Sequence, residues 1–345
     1  METSGSENRN GILAKGRAVV GANPQRQTVP ETGLEAEGKS YISWHWSKKG
    51  KTPAMNWIKS AVKPLIPRCV KRYIKLSKAA KTLREVYYGR QLKALKPTIF
   101  ATGETHNFTY DLTDENLRYL AETIAVATNK RPAEIETFIE EAINDTGLRS
   151  YFDSKMAAYH GQQSPKGVRS PFSRRLGWYA VTRTIKPRLI IETGVERGHG
   201  ALMLCAALLK NRDEGFTGHY IGTDIDIKAG WLLTEPYSQM GKVLFGDSIA
   251  SLKTLSGPVD LFINDSDHSA EYEAWEYEVI APLLSSRALI LGDNAHVTDK
   301  LARFSRRMER HFLMFDEKPK DHWYPGAGIG ISFPRSPDET AGPHL

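Results

Sequence analysis

The chain has 345 residues, 40% hydrophobic and 25% charged, the composition of a globular protein large enough for one substantial core and an appendage. No stretch reaches the ~18 uninterrupted apolar residues that span a bilayer, and the opening METSGSENRNGILAKG lacks the apolar centre of a secretory signal, so a cytoplasmic protein is expected. Two cysteines, Cys69 and Cys205, exclude a disulfide framework and show no metal-type spacing; both read as reduced thiols in helices.

The net charge of +7 is unevenly distributed. Residues 48–96 hold fifteen Lys or Arg against the single acid Glu85, a local charge of +14, which leaves the remainder at −7. The basic character therefore belongs to an appendage, and the remainder of the chain is mildly acidic.

In chain order, residues 1–45 are polar and show no apolar period; they read as a mobile tail with no assigned function. Residues 46–98 form a basic segment. From Met55 to Leu95, apolar residues such as Trp57, Ile58, Val62 and Ile74 alternate with Lys and Arg at the spacing of amphipathic helices, broken or kinked at Pro64 and Pro67. A segment of this kind fits an anionic membrane surface, and equally a solvated helix packed on the core. Residues 99–174 read as a helical extension with a lid loop. One helix covers 113–128, opened by Thr113 and two early acids, and a second runs from Pro132 to Asn144. The polar stretch from Tyr159 to Ser173 reads as the loop.

Residues 175–335 alternate short apolar runs with helical stretches. The runs RLIIET, HYIGTD, KVLFGD, VDLFIND and RALILGD are strands of a parallel sheet covered by helices. HFLMFDE and GAGIGISF are joined too closely for a helical crossover and should pair as an antiparallel hairpin. Residues 336–345 are a tail.

Within LIIETGVERGHGALMLCAALLK, Gly194, Gly198 and Gly200 occupy a turn between strand and helix, where the backbone can approach a ligand. The dinucleotide pattern G-x-G-x-x-G is not met, because Glu196 and Met203 stand where glycines would be. A glutamate at a helix N-terminus also repels a pyrophosphate but tolerates a cationic sulfonium. The motif E-T-G-V-E-R-G-H-G, beginning at Glu192, resembles the E-x-G-x-x-x-G-x-S motif of class I S-adenosylmethionine-dependent O-methyltransferases. It departs at Gly200, where that family often places a hydroxyl that meets the methionine carboxylate; here that contact must come from the backbone or elsewhere. Asp224 closes HYIGTD, where an acid can accept both ribose hydroxyls, with Asp226 as an alternate. Asp247 and Ser248 close KVLFGD, and the resemblance implies that they meet the adenine edge.

In an open parallel sheet, residues at the carboxyl ends of strands share one crevice. Those after VDLFIN and RALILG are Asp265, Ser266, Asp267, His268 and then Asp293 and Asn294. Oxygen donors from two neighbouring strand ends suit a hard divalent cation such as Mg²⁺. The pattern D-x-D-H followed by D-N resembles metal-dependent O-methyltransferases of the catechol, caffeoyl-coenzyme A and macrolide-sugar types. The resemblance implies metal ligation by Asp265, Asp293 and Asn294 and a general base at His268. Among those relatives histidine serves the sugar-methylating branch, which tilts the acceptor towards an aliphatic hydroxyl. Asp267 either orients His268 or caps the helix that follows. His296 and the pair Trp323 and Tyr324 are candidates for the pocket wall or for the core.

The fold expected is thus an α/β, Rossmann-like seven-stranded methyltransferase sheet, mostly parallel with an antiparallel last hairpin, behind a helical N-terminal extension. The function implied is metal-dependent methyl transfer from S-adenosylmethionine to a hydroxyl of a sugar or polyol in a small molecule, glycan or glycolipid, with a homo-oligomer compatible with it. Competing readings are a cephalosporin-hydroxylase-like enzyme on the same fold and a non-catalytic membrane-attached binding module. A nucleic-acid methyltransferase is disfavoured, because the catalytic part is acidic and the aromatic Pro-Pro motif of base amino methylation is absent.

Overall fold

The structure, a computed structural model, describes residues 68–89, 93, 107–160 and 167–335. The tails at 1–45 and 336–345, the first part of the basic segment with Trp57, Ile58 and the two prolines, and residues 161–166 of the expected lid lie outside the described residues. Among the described residues, no helix is long and apolar enough to cross a membrane.

The described part of the basic segment is helix α1, Arg68–Thr82, continued by a π-helical turn, Leu83–Tyr88. Its apolar residues Tyr73, Leu76, Leu83 and Tyr88 are exposed. The helical extension comprises α2 (Asp114–Thr128), α3 (Pro132–Asn144) and α4 (Thr146–His160). Thr113 caps α2 as its sequence position suggests, its Oγ1 accepting from the Asn116 N–H at 3.2 Å, and Pro132 opens α3. Helix α4 was not anticipated. A single residue, Asp145, separates it from α3, and its pattern lacks the strong apolar stripe that marks the other two.

The sheet follows. Helix α5 (Arg175–Ile185) leads into β1 (Leu189–Thr193), α6 (His199–Asp213), β2 (His219–Asp224), β3 (Gly241–Phe245), the short α7 (Ser248–Leu252) and β4 (Val259–Asn264). Then come α8 (Ala270–Ile280), β5 (Leu284–Gly292), α9 (Lys300–Arg307), β6 (Arg310–Asp316) and β7 (Gly328–Pro334). The strand order is β3-β2-β1-β4-β5-β7-β6. The first five strands are parallel, while β7 pairs antiparallel with both β5 and β6, as the short connection between the last two strands requires.

Strands β1 and β4 lie at the middle of the sheet with both faces covered, which is why LIIET and VDLFIN read as continuous apolar runs. The helical extension shares the core on one face: Leu120, Ile124, Ile135 and Ile139 are buried in one cluster with Leu202, Ile190 and Leu261. Side chains of this size each gain ~1.5–3 kcal/mol from burial, so the extension is part of the domain's stability rather than an ornament on it. Tyr277, Phe262 and Phe304 build the core of the opposite face.

Candidate active site

The strand order places a crevice at the carboxyl ends of β1 and β4, where the chain runs outward in opposite directions along the sheet. A cleft of about 740 Å³ opens there. It is lined from the β1 turn by Gly194 and Glu196, from β2 by Asp224, and from the end of β3 by Asp247 and Ser248. From the end of β4 come Asp265, Ser266, Asp267 and His268, and from the end of β5 Asp293 and His296. Its volume falls in the range of small-molecule sites.

Gly194 is required where it stands. Its φ is +81°, and a Cβ there would lie 2.0 Å from the backbone oxygen of Asp265, so only glycine lets β1 and β4 end this close together. The same juncture is fixed by hydrogen bonds from the Asp265 N–H to the Thr193 oxygen at 2.9 Å and from the Gly194 N–H to the Thr223 oxygen at 2.9 Å. Asp224 closes the turn from below: its Oδ2 accepts from the N–H groups of Val195 and Glu196 at 3.0 and 2.7 Å. Asp226 does not line the cleft; it accepts from the Lys228 N–H at 2.9 Å on the exposed side.

On the other wall, Asp265, His268 and Asp293 each bring a ligand atom to within 4.8 Å of the others. His268 Nε2 lies 3.5 Å from Asp265 Oδ1. Asp293 is gripped by Arg174, whose Nε and Nη2 donate to Oδ1 and Oδ2 at 2.6 and 3.0 Å. Burial, reinforced by the charge of Asp293, pushes the Asp265 carboxyl up; Asp293 is driven the same way by burial, but the Arg174 guanidinium overrides this and holds it below the ordinary range. The hydrogen bond to Asp265 raises the His268 imidazole against the opposing effect of burial.

Residues 191–295 match the family model of a methyltransferase domain. Over that stretch, from within β1 to the turn after β5, the chain is similar to a methyltransferase domain.

Among solved structures the chain is similar to S-adenosylhomocysteine-bound methyltransferase PaMTH1 of Podospora anserina, at 15% identity and a TM-score of 0.40, covering 66% of this chain and 98% of that one. It is similar to the O-methyltransferase TomG of Streptomyces achromogenes, at 12% identity and a TM-score of 0.38, covering 71% and 99%. A methyltransferase of Geobacter sulfurreducens is 16% identical with a TM-score of 0.38, over 56% of this chain and 90% of that one. No curated protein matches the sequence.

Several candidate site residues stand differently from their sequence-level expectation. Glu192 does not line the cleft: it is buried beneath the glycine turn, hydrogen-bonded by the Tyr220 hydroxyl, with its carboxyl pushed up by burial to about 8. Gly198, the N-cap of α6, and Gly200 in its first turn are also outside the lining. A Cβ on Gly200 would sit 2.3 Å from the Trp178 ring and 2.1 Å from Glu192 Oε1, so the hydroxyl residue found here in the resembling family has no room. Asp267 accepts from the Ser269 N–H at 2.7 Å in a turn ahead of α8, and the acid beside His268 is Asp265.

Asp247 and Ser248 reach the cleft with their side chains already engaged. Asp247 caps α7 and accepts from the Tyr272 hydroxyl at 2.7 Å, while the Ser248 hydroxyl meets Tyr272 at 2.9 Å and Glu276. Asn294 is buried behind the lining. Its Nδ2 donates to the His268 oxygen and Glu273 Oε2, both at 3.1 Å, leaving Oδ1 buried without a partner.

Sequence reading missed Arg174, Arg175 and Glu276. Glu276 is a hub on α8: it accepts from Thr193 at 2.9 Å, from Ser266 at 2.7 Å, and from Asn264 and Ser248, tying the ends of β1 and β4 to the start of α7. The two arginines stand side by side at the entry of an apolar helix, SRRLGWYAV, and that incongruity was the available signal. Of the aromatic pair after β6, Tyr324 lines the cleft and Trp323 does not.

Proposed function

We propose that the chain is a metal-dependent O-methyltransferase that transfers the methyl group of S-adenosylmethionine to a hydroxyl of a sugar or polyol-containing small molecule, glycan or glycolipid. The observation that carries this reading is the convergence of Asp265, His268 and Asp293 within 4.8 Å, in the same cleft as Gly194 and Asp224. Methyl donor, cation and base would then share one space.

The donor set suits Mg²⁺. Two carboxylates and an amide oxygen are hard ligands, and the buried, unpartnered Oδ1 of Asn294 is the kind of atom a cation satisfies. Asp265, Asp293 and Asn294 would hold a Mg²⁺, which would supply Lewis-acid charge and make an acceptor hydroxyl more acidic. His268 would take the hydroxyl proton on Nε2, and Asp265, 3.5 Å away, favours the imidazolium that results. The deprotonated oxygen would then form its bond to the methyl carbon as the carbon–sulfur bond breaks and its electron pair returns to sulfur, leaving S-adenosylhomocysteine, with Gly194 keeping the β1 turn open to the donor. Asp224 offers its carboxylate towards the ribose. Tyr324, on the cleft wall, provides an apolar face of the kind sugars stack on.

We place the enzyme in the cytoplasm, and its basic segment on an anionic membrane surface. The exposed Tyr73, Leu76, Leu83 and Tyr88 among Lys75, Lys78, Lys81 and Arg84 support this second part. The full chain should sediment with phosphatidylserine vesicles and not with neutral ones; equal behaviour with both would end the membrane proposal.

The catalytic reading is tested by incubating the protein with methyl-labelled S-adenosylmethionine and a panel of polyols and glycans, with EDTA and with Mg²⁺. Transfer that EDTA abolishes and Mg²⁺ restores is expected. Transfer indifferent to EDTA would remove the cation from the mechanism. Binding of the donor with oxidation of the acceptor, and no transfer, would favour the hydroxylase-like alternative.

A further inference from the structure

The methionine end of S-adenosylmethionine carries a carboxylate, and Gly200 cannot meet it. The space a hydroxyl side chain would use there is filled by Trp178 and by Glu192, itself an acid. What stands nearby is Arg175, the first residue of α5, three positions before Trp178 on the same helix.

Arg175 is 5% exposed and lines the cleft. Its Nε and Nη1 are buried and make no hydrogen bond. Its guanidinium carbon lies over two aromatic rings, 5.6 Å from the Phe108 ring centre and 5.7 Å from that of Trp178. Its neighbour Arg174 is committed to Asp293, which leaves Arg175 as the arginine with unused donors. Trp178, which lies beside Arg175, is the ring that a Cβ on Gly200 would meet at 2.3 Å, which brings the guanidinium to the turn's end of the cleft. A buried guanidinium with unused donors is costly unless an anion completes it. It also repels the ammonium and the sulfonium, so the carboxylate is the one group of the methionine moiety it can favour.

Resting on the proposed methyl donor, we infer that Arg175 binds the methionine carboxylate of S-adenosylmethionine, in place of the hydroxyl that Trp178 excludes from position 200. Arg175, Trp178 and Gly200 then form one unit: the indole that closes the hydroxyl site also supports the cation that replaces it.

The test measures calorimetric binding of S-adenosylhomocysteine and of its decarboxylated analogue to the full chain. Wild-type protein should prefer the carboxylate-bearing ligand by about 10- to 100-fold, the scale of a charge-assisted pair. Arg175→Met should erase that preference by weakening S-adenosylhomocysteine alone, and Arg175→Lys should keep part of it, with unliganded unfolding temperatures recorded for both variants. Equal affinity of wild type for the two ligands overturns the inference whatever the variants do, as does a loss in Arg175→Met that is the same for both. Failure of the wild type to bind either ligand would overturn the proposed donor itself, and the inference with it.

Discussion

Arg174 holds both carboxylate oxygens of Asp293, at 2.6 and 3.0 Å, with both side chains almost wholly buried. The same guanidinium lies 3.8 Å from Glu317 and 3.4 Å from the Tyr110 hydroxyl, so it is a fixed positive charge in a region that also contains Asp265. The divalent cation proposed at Asp293 would therefore serve an end that overlaps with that of Arg174. Replacing Arg174 with Met leaves buried acids unpaired, which costs about 3–5 kcal/mol and should lower the unfolding temperature in EDTA by on the order of 10 °C. Mg²⁺ or Mn²⁺ should recover more of that loss in the variant than it adds to wild type. Identical cation responses in thermal unfolding would mean that the guanidinium and the cation do not share Asp293.

His268→Ala should reduce methyl transfer by about 10²- to 10⁴-fold, the usual contribution of a positioned base. Its effect on S-adenosylhomocysteine affinity should be small, since His268 stands on the Asp265 wall and not at the glycine turn. Calorimetry beside the rate assay separates the two, and full turnover in the variant would exclude the imidazole as base.

Gly200→Ser restores the hydroxyl common in the resembling family, yet this structure has no room for it. Overpacking against Trp178 and Glu192 should destabilise the fold by about 1–3 kcal/mol and weaken donor binding, measured by denaturant unfolding and calorimetry. A tighter, equally stable variant would show that Trp178 does not occupy that site in solution.

Glu192 links stability to pH. Its folded carboxyl is raised to about 8 by burial, far above an unfolded glutamate, so between those values the native state holds a proton that the unfolded chain releases. Its contribution is fully present below the unfolded pKa and fades as pH climbs through the folded one. Each pH unit in that window costs up to about 1.4 kcal/mol. Glu192→Gln should flatten the decline in stability between about pH 5 and 8, read from urea unfolding at a series of pH values; an unchanged slope would assign the decline elsewhere.

The expected strands, the antiparallel last hairpin, the helices at 113–128 and 132–144 and the gathering of Asp224, Asp247, Asp265, His268 and Asp293 at one sheet end all appear in the fold. They were legible because apolar period, capping residues and loop length are local, and because a parallel sheet sends every strand's carboxyl end to the same edge. The resemblance to known methyltransferase motifs pointed to Glu192 and Gly200 as donor contacts, but those motifs describe relatives in which position 200 carries a side chain. In this chain Trp178 has taken that volume.

Composition and periodicity thus determined which segments are strands, which acids end them, and that they meet at one edge. Tertiary structure alone decided which of those acids are free. Asp293 is claimed by an arginine 119 positions earlier, and Ser248, Ser266, Asn264 and Thr193 are drawn together by Glu276. Such pairings link residues whose spacing in the chain follows no helical or strand period, so the linear pattern carries no trace of them; they exist only once the layers have packed.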